Sequence, residues 1–212
     1  MTRKIFWEDP YLTTLSTYVT SVQGAVITVE ETIFYAFSGG QESDHGTIGG
    51  FRVISARKEE QEIFYELPED HALQVGDPVE ITIDWERRYR LMRLHFAAEL
   101  VLELFYRKLG GVDKVGAHIA EEKARIDFSW PQSISPLLSD IDADAQRLID
   151  ENRDIISDFS DEDAERRYWR VEGFAEVPCG GTHLTRTGEV GRISMKRKNV
   201  GKGKERVEIY LS

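Results

Sequence analysis

Short apolar runs rich in Val, Ile and Thr, each ended by Gly, Pro or charged residues, occupy the first 84 positions at 17–22, 25–29, 32–37, 50–56, 62–67 and 79–84. Strand-length segments with turn signals between them predict a small β-barrel. The pattern then changes period. From Trp85 to Leu109 the apolar residues Leu91, Leu94, Ala98, Val101, Leu102, Phe105 and Leu109 recur at spacings of three and four, and Gly110-Gly111 follows. That spacing predicts a long amphipathic helix with a glycine stop. A strand pair is predicted at 115–119 and 124–130. A second helix over 135–157 turns Leu138, Ile141, Ala145, Leu148 and Ile149 inward, and strands follow at 167–172, 190–196 and 207–211. The expectation is an α+β protein: an N-terminal small β-barrel domain over 1–84, then an α+β domain over 85–212 with a long helix and an antiparallel sheet.

Two polar residues interrupt the long helix's apolar stripe. His95 and Glu99 are one turn apart on one face, where uncompensated burial is costly. They satisfy each other at a helix edge, or they hold a ligand. A second constellation is Cys179-Gly-Gly-Thr-His183, in which the glycines allow a thiolate and an imidazole to converge. Zinc favours four ligands from Cys, His and carboxylate, so His95, Glu99, Cys179 and His183 offer a complete or nearly complete set. The plainer reading of the Cys segment is a glycine turn with a buried thiol. A third stretch, 34–48, carries Gly39 and Gly40, which free backbone amides for a ligand, and Gln41, Ser43 and Asp44, which supply hydrogen-bonding groups. By default it is a loop between strands. His118, between Ala117 and Ile119, is expected to be structural.

The charge is segregated. The chain of 212 residues has 27 Lys and Arg against 38 Asp and Glu, a net charge of −11, which excludes a protein that coats nucleic acid indiscriminately. Between Asp140 and Glu165 there are 11 acidic residues and only two basic ones; between Arg186 and Arg206 there are eight basic residues and two acidic ones. That basic segment, with Lys196, Arg197, Lys198, Lys202 and Lys204, is suited to phosphates or is simply a solvated loop. The single cysteine excludes an intramolecular disulfide, and with no 18-residue apolar run or secretory signal the expected location is the cytoplasm, away from membranes.

Taken together, the order and spacing of these segments resemble the free-standing alanyl-tRNA editing proteins, the AlaX family, which is related to the editing domains of alanyl- and threonyl-tRNA synthetases. The family's Tyr-Pro-x-Gly-Gly-Gly-Gln-x-x-Asp-x-Gly segment is similar to 35–46, its His-x-x-x-His helix to 95–99, and its Gly-x-x-Ile-x-x-x-x-x-Arg-Ile-Asp strand pair to 116–127. Its Cys-Gly-Gly-Thr-His-x-x-x-Thr-Gly-Glu-x-Gly segment resembles 179–191 almost letter for letter, and its Gly-Lys-Gly-x-x-Arg close resembles 201–206. The resemblance spans the chain and implies the intermediate form, with a barrel ahead of the editing domain. Two of these segments depart from it. Glu99 stands where the family has its second histidine, which adds a negative charge that weakens a metal there as a Lewis acid, and Ala36-Phe37-Ser38 replaces the proline and one glycine of the Gly-rich segment.

The resemblance implies a zinc-dependent hydrolase that removes serine or glycine in trans from mischarged tRNA for alanine, since 212 residues leave no room for a synthetase catalytic domain. In that reading His95, Glu99, Cys179 and His183 bind zinc, Gln41 and Thr182 are the candidate catalytic contacts, and Gly39, Gly40, Gln41 and Asp44 line the substrate. Lys196, Arg197, Lys198, Lys202 and Lys204 receive the tRNA. The rivals are a non-catalytic tRNA- or aminoacyl-binding protein with a decayed site, and a zinc hydrolase acting on another small acyl ester.

Overall fold

The computed structural model describes residues 1–201 and 203–212. By its internal contacts the chain forms two units: residues 1–38 with 42–89, and residues 39–41 with 90–212.

The first unit holds β1 (Arg3–Lys4), β2 (Thr14–Gln23), β3 (Val26–Val29), β4 (Glu31–Thr32), β5 (Gly46–Ile48), β6 (Phe51–Arg52), β7 (Ser55–Glu59), β8 (Glu62–Glu66) and β9 (Pro78–Ile83). Seven of these make one antiparallel sheet in the order β6-β5-β9-β2-β3-β8-β7, which curls into a half-barrel. Adjacent residues draw its ends together: Val53 donates its amide to Gly46, and Ile54 donates to Glu66. Alternation fills the interior, as in β9, where Val79, Ile81 and Ile83 are buried between less buried neighbours. The run at 32–37 is a strand only as far as Thr32. Beyond it Ile33, Phe34, Tyr35 and Ala36 are all buried, and side chains satisfy much of their backbone. Asp44 Oδ2 accepts from the Tyr35 amide at 2.7 Å, Thr32 Oγ1 accepts from Phe34, and Arg88 donates to the Ile33 carbonyl. Asp44 is in turn held by the fully buried guanidinium of Arg88, whose Nε lies 2.8 Å from Oδ1. Breaking one side of such a pair leaves an uncompensated buried charge.

Helix α1 (Trp85–Leu109) has the predicted bounds, and Asp84 caps it by accepting the Arg87 amide at 3.1 Å. From Arg90 onward it belongs to the second unit. There it is buried nearly all round, with Phe96, Ala97, Leu100 and Leu104 joining the predicted stripe. The reason is that two sheets contact it. Phe105 packs on Phe128, with ring centroids 4.9 Å apart, and Phe96 packs edge-on against Trp169 at 5.2 Å. The first sheet, in the order β10-β11-β16-β15, comprises β10 (Asp113–Ile119), β11 (Ala124–Ser129), β15 (Ile193–Gly201) and β16 (Lys204–Leu211). The second comprises β12 (Ile156–Asp161), β13 (Arg166–Val171) and β14 (Ala175–Pro178). Helix α2 (Ser135–Asp150) buries Ile141, Ala145, Leu148 and Ile149 as expected but ends seven residues early. Asn152 takes a positive φ of 49° and the chain then enters β12, which the acidic sequence disguised as helix surface. No helix among the described residues is long and apolar enough to cross a membrane.

One carboxylate on the first sheet makes its stability testable. Glu208 is 2% exposed; its hydrogen bond from Lys123 at 2.6 Å, against the opposing effect of burial, and further bonds from Tyr210 and Lys198 pull its pKa down to about 2. A lowered carboxylate pKa contributes stability above the unfolded value and loses it as pH falls through the folded one. Glu208→Gln is therefore expected to cost about 1 to 2 kcal/mol at pH 7, discounted because the ammonium partners are screened. Urea titrations should show this difference closing between about pH 5 and pH 2.

Candidate metal centre

The site lies wholly within the second unit. Helical spacing sets His95 and Glu99 one above the other on α1. Cys179 follows the end of β14, where its amide donates to the Arg167 carbonyl at 2.8 Å and prolongs the β13–β14 ladder. His183 lies four residues on. His95, Cys179 and His183 offer donor atoms that all fall within 4.8 Å of one another. Both imidazole Nε2 atoms point at one sulfur, each 3.3 Å from Cys179 Sγ.

Each ring is held from behind through its other nitrogen. His95 Nδ1 lies 2.5 Å from Gln41 Oε1, and His183 Nδ1 lies 3.1 Å from Ser157 Oγ on β12. The amide of Gln41 is used at both ends, because its Nε2 donates to Thr182 Oγ1 at 3.0 Å. Gln41 is fully buried and Thr182 is 1% exposed. This arrangement fixes the orientation of both rings, as the outer contacts of metal-bound histidines do.

Glu99 stands beside this trio. Its Oε1 is 3.5 Å from His95 Nε2 and 4.0 Å from Cys179 Sγ, while Oε2 accepts from the buried indole of Trp169 at 3.1 Å. The structure thus brings three of the four expected ligands into one group and sets the fourth against two of them. Burial would pull the His95 imidazole down, but the Cys179 thiolate and the Glu99 carboxylate outweigh it and push it up to about 10. Burial, reinforced by His95 and Arg167, lowers His183. Two imidazole nitrogens and one sulfur converging beside a carboxylate make a donor set that a cation completes, and the mixed nitrogen and sulfur donors suit a borderline-soft divalent ion.

The glycines act differently from expectation. Gly180 and Gly181 both keep ordinary backbone angles, so neither is needed for a left-handed turn. A Cβ on Gly180 would meet open space, whereas one on Gly181 would collide with the ring of His95. Gly39 and Gly40 do take positive φ, of 61° and 89°, and they seat the loop on β10: the Gly40 carbonyl accepts from the Ile119 amide at 2.8 Å, and a Cβ there would strike Ala117 at 2.6 Å. Asp44 belongs to the first unit, where it serves Arg88 and Tyr35. Of the basic set, the strand register puts Lys196, Lys198 and Lys204 on one face of the first sheet and Arg197 on the other, where Arg197 is paired with Glu205; Lys202 lies outside the described residues.

Ser157, Trp169 and Arg167 were not singled out in the sequence. Arg167 is 5% exposed; burial lowers its guanidinium and the Cys179 thiolate opposes that shift. Alternation along β13 could have paired Arg167 with Trp169 on one face. Ser157 carries no local signal.

A family model described as the threonyl and alanyl tRNA synthetase second additional domain matches residues 169–208, a span that includes Trp169, Cys179, Thr182 and His183. The chain is 34% identical to the alanyl-tRNA editing protein AlaX-M of Pyrococcus horikoshii over 215 residues, covering all of this chain and 98% of that protein. It is 31% identical to the AlaX-M protein of Methanosarcina mazei, over 100% of this chain and 96% of the relative. It is also 34% identical to the alanine–tRNA ligase of Ignicoccus hospitalis, covering 98% of this chain but 26% of the ligase. With a relative matched end to end at this identity, and with the shared segment holding the Cys-Gly-Gly-Thr-His constellation, the chain belongs to the AlaX-M family of alanyl-tRNA editing proteins.

Proposed function

We propose that this chain is a trans-editing hydrolase that cleaves the ester joining a wrong amino acid, serine or glycine, to tRNA for alanine, and that it does so in the cytoplasm with zinc held by His95, Cys179 and His183 and with Glu99 at its side. The observation that carries the reading is the convergence of both imidazoles on the Cys179 sulfur, with each ring oriented by a dedicated partner. A zinc ion in this donor set would supply Lewis acidity toward the ester and its attacking water. Gln41 and Ser157 keep each ring's Nε2 directed at the site. Because Gln41 occupies the acceptor side of the Thr182 hydroxyl, Thr182 retains a proton to donate toward the ester or its 3′ adenosine. Gln41, buried with both amide ends engaged, therefore acts as a positioning residue rather than as a direct substrate contact.

A decayed, non-catalytic site is a poor account of these contacts, since Glu99 at the departing position is built into the structure by Trp169 rather than left unsatisfied. A zinc hydrolase of small acyl esters is separated by substrate. The test is deacylation of Ser-, Gly- and Ala-charged tRNA for alanine, with and without chelator. Hydrolysis of the Ser or Gly ester well above that of the Ala ester, lost on chelation and restored by zinc, is expected. No turnover of any charged tRNA by zinc-loaded protein refutes the proposal.

Gln41→Ala removes the acceptor that orients His95. The expected result is a loss of about 10- to 100-fold in zinc affinity, measured by competition with a chromophoric chelator. Unchanged affinity would show that the ring needs no such support.

A further inference from the structure

We propose that the outer face of the sheet β10-β11-β16-β15 is the surface on which the sugar–phosphate backbone of the tRNA acceptor arm lies. The inference rests on the editing reading above and names where its macromolecular substrate docks.

The register sorts the residues. On one face Ala124, Ile126, Phe128, Val207 and Ile209 are buried, at 1% exposure or less. The opposite face carries cross-strand rows: His118, Arg125, Glu208 and Lys196; then Gly116, Asp127, Arg206 and Lys198; then Asp113, Ser129 and Lys204. Lys123 adjoins the first row through Glu208. Six cations therefore share a face with three carboxylates, in a chain whose net charge is −11. The 11 acidic residues between 140 and 165 lie outside these four strands.

Two of the carboxylates organise the cations more than they cancel them. Glu208 takes Lys123 at 2.6 Å and Lys198 at 3.3 Å, and Asp127 takes Arg125 at 2.6 Å and Arg206 through two bonds at 2.6 and 2.9 Å. Both anions sit low, at 3% and 13% side-chain exposure, while Lys198 is 59% exposed above them. Each Lys has three donors and each Arg five, so one buried acceptor apiece leaves donors directed at solvent. Cations ordered in advance lose less entropy when they meet phosphates. Such contacts position a nucleic acid without reading its bases, which suits recognition of an A-form arm by its backbone.

The face also adjoins the chemistry. Its edge strand β10 binds the loop at Gly40 and bridges to Gln41, and Gln41 holds His95 and Thr182. A backbone lying across the sheet therefore approaches the edge next to the site.

The test is a variant with Lys196→Ala, Lys198→Ala and Lys204→Ala, compared with Arg147→Ala on α2. The slope of log affinity for tRNA against log salt should flatten by about 2 to 3 units in the triple variant and stay unchanged in the control. KM for mischarged tRNA should rise at least 10-fold. Turnover of a seryl ester of adenosine, which has no acceptor arm, should be unaltered, a split that a merely structural role would not give. An unchanged salt slope overturns the proposal, and so does an altered oligomeric state with unaltered tRNA affinity, which would assign the face to a second copy. Failure of the wild-type chain to hydrolyse either ester would strike the editing reading, while the binding slope would still judge the face.

Discussion

Cys179→Ala is expected to remove tight zinc binding and deacylation together while leaving the fold intact. The sulfur is the atom to which both imidazoles are directed, at 3.3 Å each, and no other thiol exists in the chain to replace it. The side chain lies just beyond β14 at an intermediate level of burial, so truncation costs little packing. What it removes is the donor that gives the set its preference for zinc over harder ions. Loss of an outer partner of a metal ligand costs about 10- to 100-fold in affinity, and loss of the ligand itself should exceed that range. Metal analysis of the purified variant, chelator competition and a thermal melt form the check. A variant with a full equivalent of zinc would show that the cluster's centre lies elsewhere; a variant without zinc but with wild-type turnover would separate the metal from the chemistry.

The parts of this arrangement that were legible in the sequence are those encoded by short spacing. His95 and Glu99 are one helical turn apart, and Cys179 and His183 are joined by a loop too short to separate them far, so sequence spacing alone pairs their chemistry. Helix α1 was legible to the residue because a long 3.6-residue period between Asp84 and Gly110-Gly111 has few competing readings. The run at 32–37 reads as a strand because an apolar run reports burial, and beyond Thr32 buried side-chain acceptors and donors from Thr32, Asp44 and Arg88 take the place of a neighbouring strand. α2 was overextended because acidic residues mark solvent exposure equally well on a helix face and on an edge strand such as β12. That error hid Ser157, whose role depends on which way a strand residue points. Gln41 was visible as a functional residue, but its direction was not, since a loop's orientation follows from where Gly40 meets β10, a contact between residues far apart in sequence. The cationic face was equally hidden. Arg197 and Lys198 are adjacent in sequence and lie on opposite sides of the sheet.

The two glycines of the Cys-Gly-Gly-Thr-His segment should respond oppositely to the same substitution. Both have ordinary φ angles, so alanine meets no backbone strain at either position, and only the surroundings differ. At Gly180 an added Cβ has no neighbour within 4 Å, and Gly180→Ala is expected to keep zinc content and turnover within about twofold of wild type. At Gly181 the added carbon overlaps Cε1 of His95 and sits 2.7 Å from Nδ1, the atom that bonds Gln41. The obstacle is a buried ring rather than the free end of a flexible chain. His95 is 5% exposed, held by Gln41 on one side and facing Cys179 and Glu99 on the other, so it can yield only by giving up those contacts. Overpacking of this kind costs about 1 to 3 kcal/mol when the structure relaxes. The relaxation here carries His95 Nε2 away from the sulfur. Gly181→Ala is therefore expected to lower zinc affinity by more than about 100-fold and to reduce deacylation in step, with a melting temperature lowered by only a few degrees. Wild-type zinc affinity in a folded Gly181→Ala protein would mean that His95 can move without cost to the site, and the convergence of two oriented imidazoles on Cys179 would lose its claim to be the functional centre.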